Sequence, residues 1–236
     1  EELKGFLDAK VLEYNHPKFL EDDPIQIPHL FTSKEDIEIS AFLTATIAWG
    51  NRKSIINNAS KLMELMGNTP YDFVINHTDD DLEELRPFVH RTFNGIDLVY
   101  FVNSLKYIYK NHGGLEAIFT EYQTKDSMQP AISKFKEVFF ELPHQSRTQK
   151  HVSDPNKGSA AKRINMFLRW MVRDNDTGVD FGLWEKIDPG KLSCPLDVHS
   201  GNVARKLKLL KRKQNDAKAL KELDINLRKL DATDPV

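Results

Sequence analysis

The stretch Asp36-Ile37-Glu38-Ile39-Ser40-Ala41-Phe42-Leu43-Thr44-Ala45-Thr46-Ile47-Ala48-Trp49 reads as a helix that is apolar on nearly every side. A helix of that kind belongs at the centre of a fold. Ser33 supplies an N-cap just before it, and Glu35 and Asp36 give an acidic first turn. Outward from this segment the helical pattern repeats. Ile55, Ala59, Leu62 and Met66 share one stripe over 54–66, closed by Gly67-Asn68 and Pro70. Leu98, Phe101, Val102, Leu105, Ile108 and Tyr109 mark a helix over 97–111, broken by Asn111-His112-Gly113-Gly114. Leu115, Ile118, Phe119 and Tyr122 form a short helix, and Ile132, Phe135, Val138, Phe139 and Leu142 the next, ended by Pro143. Residues 143–158 are a polar loop, and 159–173 return to helix with Ile164, Phe167, Leu168 and Met171. A polar insert runs from Asp174 to Gly182. The last helices carry Val198, Val203, Ala204, Leu207 and Leu210, then Leu220, Leu223, Leu227 and Leu230. No segment alternates with period two, so the expected fold is all-α with about nine helices. The chain stops at Asp234-Pro235-Val236 with no closing helix, which reads as an incomplete C-terminus.

The composition of these 236 residues excludes several classes. Cys194 is the only cysteine, so there is no disulfide framework, no cysteine-rich zinc site and no four-cysteine iron–sulfur cluster. The reducing cytoplasm is the expected compartment. No apolar run approaches the ~20 residues of a membrane span, and 1–10 does not read as a signal peptide. No metal or cofactor is expected. The net charge of −2 hides an asymmetry: residues 1–146 carry 14 Lys/Arg against 23 Asp/Glu, and 147–213 carry 15 against 7. Such a change of sign suggests a basic surface for an anionic partner, nucleic acid first, or else a solvated charged face.

Three segments could carry chemistry. Lys157-Gly158-Ser159-Ala160-Ala161-Lys162-Arg163 reads as a glycine turn opening directly into a helix, with Lys162 and Arg163 one turn inside it. Free N–H groups at such a helix start can hold a phosphate, and a helix start with merely solvated cations is the alternative. In Pro195-Leu196-Asp197-Val198-His199-Ser200-Gly201-Asn202-Val203-Ala204-Arg205, Asp197 stands where an N-cap would, and a capping Asp can also face a cleft. His199 is either a titrating group or a hydrogen-bonded structural residue. In Phe42 to Ser54, a buried helix runs into Trp49-Gly50-Asn51-Arg52-Lys53. Trp49 could stack on a base and Asn51 could fill a base-pair gap; alternatively Trp49 is core and Gly50-Asn51 is a helix C-cap.

In this order the three segments resemble the helix–hairpin–helix DNA glycosylase superfamily. The aspartate motif reads Leu196-Asp197-Val198-His199-Ser200-Gly201-Asn202-Val203-Ala204-Arg205-Lys206-Leu207, with Asn202 where that family usually has a basic residue. The early helix, Phe42 to Ser60, is similar to the corresponding one of endonuclease III. The hairpin reads Asp154-Pro155-Asn156-Lys157-Gly158-Ser159-Ala160-Ala161-Lys162, a departure from the family's two-glycine pattern. The separation of 35 residues between Lys162 and Asp197 is longer than usual and resembles the archaeal 8-oxoguanine glycosylase branch. The whole chain is similar to an uncharacterised bacterial family allied to that branch.

The resemblance implies two helical lobes around a cleft, approximately 35–142 and 143–236, the second joined by the N-terminal segment 1–34. It implies a base-excision DNA glycosylase and abasic-site lyase acting on a damaged base, with an oxidised purine as one option that the sequence does not decide. Lys162 would be the amine nucleophile and Asp197 the carboxylate that stabilises charge on the sugar. An amine attacks only when neutral, which burial or a cationic neighbour such as Arg163 favours. The amides around Gly158 and Ser159 would hold a backbone phosphate, and Lys157, Arg205, Lys206, Lys211 and Arg212 would supply salt-dependent affinity. His199 lies on the same DNA-facing surface, and Trp49 or Asn51 would enter the stack. Phe140, His144, Phe167, Trp170 and Trp184 are candidates for a base pocket. A non-catalytic DNA-binding protein on the same fold and a helical scaffold for another protein are the competing expectations.

Overall fold

Every residue from Ile37 to Ile47 is buried, as expected of a helix apolar on all sides. The computed structural model describes residues 2–173 and 177–236, so 174–176 of the expected polar insert lie outside the described residues. The α-helices are α1 (Glu2–Tyr14), α2 (Lys34–Ile47), α3 (Arg52–Leu65), α4 (Pro70–Asn76), α5 (Asp79–Leu85), α6 (Gly95–Asn111), α7 (Leu115–Tyr122), α8 (Gln129–Phe139), α9 (Lys162–Val172), α10 (Val198–Lys206) and α11 (Ala217–Arg228). One antiparallel hairpin joins β1 (Val89–His90) to β2 (Phe93–Asn94). Apart from that hairpin the described residues are mostly helical, consistent with an all-α fold. None of these helices is long and apolar enough to cross a membrane.

The chain divides into two compact units, one of Glu1–Glu21, Tyr122–Ser133 and Ser153–Val236, the other of Asp22–Glu121 and Lys134–Val152. Against the expected 35–142 and 143–236 with 1–34, residues 22–34 and 143–152 lie in the α2 unit and 122–133 in the other. Residues 22–34 belong with α2 because Pro24, Ile25, Ile27 and Pro28 are buried in its unit.

In the α2 unit, Phe42 is the hub of an aromatic cluster. Its ring lies 5.8 Å from Phe101, 5.5 Å from Phe135 and 5.6 Å from Phe139, and Phe101 and Phe139 are 4.7 Å apart. Each fully buried Phe contributes roughly 1.5–3 kcal/mol. Ser33 caps α2 by accepting from the Asp36 N–H, as the sequence predicts. The last turn of α8 is anchored through the Phe139 carbonyl, which accepts from Ser104 Oγ at 2.6 Å and Tyr100 Oη at 2.7 Å.

In the other unit, α9 buries Ile164, Phe167, Leu168 and Met171, and Phe167 meets Trp184 edge-on at 5.3 Å. A second cluster joins Ala160, Leu196, Ala204, Leu209, Leu210, Ala219, Leu220 and Leu223, with Leu3 and Leu7 of α1 and Leu227 and Leu230 packed against it. Phe167, Trp170 and Trp184, offered above as base-pocket aromatics, are fully or almost fully buried core residues.

Candidate active site

The Gly158 turn does not open directly into a helix. Pro155–Lys157 form one 3-10 turn, and Gly158 ends it at φ +87°, a left-handed conformation that favours glycine. Three residues follow before α9. Ser159 pairs across an isolated β-bridge with Asp216, and the Ala217 N–H donates to the Gly158 carbonyl at 3.0 Å. Ala161 then turns left-handed at φ +44° and serves as N-cap without a side-chain hydrogen bond. Lys162 and Arg163 are therefore the first two residues of α9, not one turn inside it. The bridge to Asp216 keeps 159–160 from joining the helix.

The turn amides are also committed. The Gly158 N–H donates to Pro155 O at 2.9 Å, the Lys157 and Ser159 N–H groups to Asp154 O at 3.1 and 3.3 Å, and the Ala161 N–H to Ser159 Oγ at 3.0 Å. Asp154 is itself fixed by Ser133 Oγ at 2.8 Å. The expected phosphate cradle of free amides at Gly158 and Ser159 is thus not formed, because the turn closes on its own carbonyls. Lys157 remains exposed at its tip.

Asp197 caps α10. Its Oδ1 accepts from the His199 and Ser200 N–H groups, both at 2.9 Å, and Ser200 Oγ accepts from the Asp197 N–H at 2.8 Å. This capping box fixes the carboxylate plane. The second oxygen, Oδ2, lies 3.6 Å from Lys162 Nζ, and 34% and 35% of the Lys162 and Asp197 side chains are exposed. The pair is therefore reachable from solvent. Partial burial opposes ionisation of Asp197, but the Ser200 N–H, the Lys162 ammonium and the remaining cap bonds outweigh it and hold the carboxyl below its ordinary range. Burial pulls the half-buried Arg163 guanidinium down to about 10. Asn215 Nδ2 donates to the Asp197 carbonyl at 2.8 Å, a contact that sequence patterning gave no hint of.

The basic candidates split into two groups. Lys157, Lys206 and Lys211 are exposed, as is His199, whose backbone N–H serves the cap. Arg205 is a brace: it donates to Arg212 O at 2.8 Å, Lys213 O at 2.8 Å and Asn215 Oδ1 at 2.6 Å. Arg212 forms a two-oxygen ion pair with Asp216 and donates to Gln214 Oε1 at 2.7 Å. These two arginines hold the 211–216 loop in shape.

Trp49 and Asn51 belong to the α2 unit. Asn51 is not part of a C-cap of α2; its Oδ1 accepts from the Ser54 N–H at 3.1 Å and starts α3. Gly50 sits at φ +105°, and a Cβ there would come within 3.0 Å of Arg91 Nη1. Trp49 is half-buried, edge-on to His90 at 5.1 Å and tilted over His151 at 6.1 Å. Burial lowers the His90 pKa and favours the neutral ring, whose Nε2 lies 3.3 Å from the Trp49 carbonyl. Behind this loop, buried Asp97 accepts from Arg147 Nη1 at 2.9 Å, Thr148 Oγ1 at 2.8 Å and the Asn94 N–H at 3.1 Å.

Asp224 is a buried carboxylate on α11. Desolvation raises it to about 6 from 3.8, against the Ser193 hydroxyl, Arg228 and the Cys194 N–H. Its folded value exceeds the unfolded one, so the native state takes up a proton between these values and loses stability as pH rises through them. Asp224→Asn should leave the melting temperature near that of the parent at pH 4 and raise it above pH 6, by up to roughly 3 kcal/mol in stability. Calorimetry across pH 4–7 reads the difference; a constant offset would contradict it.

Among the described residues, no group of three or more His, Cys, Asp or Glu side chains is arranged to hold a metal ion. No curated protein and no solved structure matches the chain. A family model does match, over residues 23–236, and the chain belongs to that family, described as protein of unknown function (DUF2400).

Proposed function

We propose that this chain is a base-excision DNA glycosylase and abasic-site lyase of the helix–hairpin–helix type, acting on a damaged base. The observation that carries the reading is the solvent-reachable contact of Lys162 Nζ with Asp197 Oδ2, between residues 35 positions apart. One oxygen of Asp197 is spent on the cap, which leaves the other aimed at the amine. Asp197 takes the ammonium proton, and the neutral amine attacks C1′ of the damaged nucleoside. The C1′–N bond breaks and its electron pair leaves with the base, which takes up the proton held by Asp197 and so restores the carboxylate. The attacking nitrogen passes a proton to O4′ as the ring opens to an iminium, and loss of the C2′ proton expels the 3′ phosphate by β-elimination. The carboxylate stabilises positive charge on the sugar along this path.

Exposed Lys157, Lys206 and Lys211 would contact phosphates, with Arg205 and Arg212 acting through the shape of their loop. In the other unit, the Trp49-Gly50-Asn51 turn is offered as a DNA contact held stiff by His90 and His151. The triple variant Lys157→Gln, Lys206→Gln, Lys211→Gln should lower the slope of log affinity against log salt by up to about 3, at ~0.9 per contact. Anisotropy titrations at several salt concentrations measure it, and an unchanged slope would remove these lysines from the interface.

The full capping role of Asp197 favours a second reading, a DNA-binding protein in which Lys162–Asp197 is only an ion pair. Borohydride trapping on oligonucleotides bearing an abasic site or an oxidised purine separates the two. A covalent adduct supports the lyase; salt-sensitive binding without any adduct supports the second reading.

A further inference from the structure

The pair of Lys162 and Asp197 comes from two segments far apart in sequence, and both segments are tied to one line of polar side chains, buried but for the half-buried Gln129. On the Lys162 side, Asn165 on α9 is almost fully buried and donates from Nδ2 to the Ala160 carbonyl at 2.9 Å. That carbonyl stands one residue before the left-handed Ala161 from which α9 departs. Asn165 Oδ1 accepts from Gln129 Nε2 at 2.9 Å. The same amide group donates its second proton to Ser193 Oγ at 3.1 Å. Ser193 in turn donates to Asp224 Oδ2 at 2.6 Å. Asp224 also accepts from the Cys194 N–H, three residues before Asp197. One turn on, Arg228 Nη1 lies 3.9 Å from Asp224, and its other nitrogens donate to the Gly190 and Leu192 carbonyls at 2.8 Å each.

A buried polar group is costly unless satisfied, and this line runs between apolar helices. The donors run outward from Gln129 along two branches, one through Ser193 to Asp224 and one through Asn165 to the Ala160 carbonyl. Gln129 is the joint: its single amide nitrogen links the segment that carries Asp197 to the turn that launches Lys162.

We propose that Gln129, Asn165, Ser193 and Asp224 form a positioning brace that sets the separation of Lys162 Nζ from Asp197 Oδ2, with Gln129 and Asn165 as positioning residues. The proposal rests on the reading of that pair as the reacting groups. None of the four touches the proposed substrate. Their effect is on the distance and alignment of the pair, where a misplacement of an ångström is enough to cost on the order of a hundredfold in rate.

The test uses two readouts on the full chain. Gln129→Met keeps length and removes both donors at a half-buried position; Ser193→Ala breaks the line one step further, and Ser193→Thr restores a hydroxyl. The first readout is single-turnover borohydride trapping on abasic DNA, with affinity measured separately. Gln129→Met and Ser193→Ala should slow trapping at least tenfold at saturating DNA with affinity within about twofold, and Ser193→Thr should recover part of the rate. The second needs no DNA: reductive methylation with formaldehyde and borohydride, read by mass spectrometry as the Lys162 rate relative to exposed Lys157. That ratio should change at least threefold in Gln129→Met and Ser193→Ala and return toward the parent value in Ser193→Thr. If the parent traps no DNA, the glycosylase reading fails, while the methylation ratio still decides whether the brace sets the pair. An unchanged ratio in both disrupting variants overturns the brace, as does a loss of affinity equal to the loss of rate.

Discussion

Lys162→Gln should abolish the borohydride-trapped adduct and leave DNA affinity within about threefold. The side chain is one-third exposed at the first position of α9, and its ammonium contacts Asp197 without entering the core, so the fold should change by no more than ~0.5 kcal/mol. Asp197→Asn is the sharper partner experiment. Asparagine is as good an N-cap as aspartate, so its side-chain oxygen can still accept from the His199 and Ser200 N–H groups. What it loses is the charge facing Lys162. Stability should therefore hold while base release slows by about 10²–10³, the loss expected when a charge-stabilising group is removed from a developing cation. The two variants together divide the capping role from the electrostatic one. An adduct that persists in Lys162→Gln would place the nucleophile elsewhere, and base release untouched in Asp197→Asn would reduce that carboxylate to a cap.

Phe42→Ala should be the most destabilising single change in the α2 unit, at about 3–5 kcal/mol. The ring is wholly buried, touches three other phenylalanines, and lies on a helix whose neighbours are themselves buried, so collapse cannot fill the void. Phe42→Leu, which keeps most of the volume, should cost less than half as much. Urea unfolding followed by circular dichroism reads both. A loss below ~1 kcal/mol for the alanine variant would mean that the aromatic cluster is not packed as described.

The sequence disclosed most where a single segment carried its own signal. α2 was legible because apolar residues occupy every side of it, and the α10 start because Pro195-Leu196 leads into Asp197. The start of α9 is not legible in local sequence because its position depends on the bridge from Ser159 to Asp216, a partner 57 residues away. α1 gave no periodic signal because none of its residues is buried. α5 does carry one, the Thr78 and Asp81 capping box, whose spacing is local. The hairpin at 89–94 is too short for alternation to register. Within the candidate site, Lys162 and Asp197 could be named from motifs, whereas Asn165 hid inside an apolar helix. A buried amide amid Ile164, Phe167 and Leu168 was the one local sign that a polar partner existed. Gln129, Ser193 and Asp224 could not be joined to it, since hydrogen bonds across 36, 64 and 31 residues leave no trace in local spacing.

The interrupted course of the chain through its two units sets an order of events during synthesis. The α2 unit, 22–121 with 134–152, has all its residues once position 152 has been made. The other unit, which includes residues 1–21, must wait for 153–236, roughly 4–17 s at ~5–20 residues per second. During that interval Leu3 and Leu7 have nothing to rest on, because Leu227 and Leu230 do not yet exist. Residues 1–21 are then open to a chaperone, and the unit that holds Lys162 and Asp197 closes after the α2 unit.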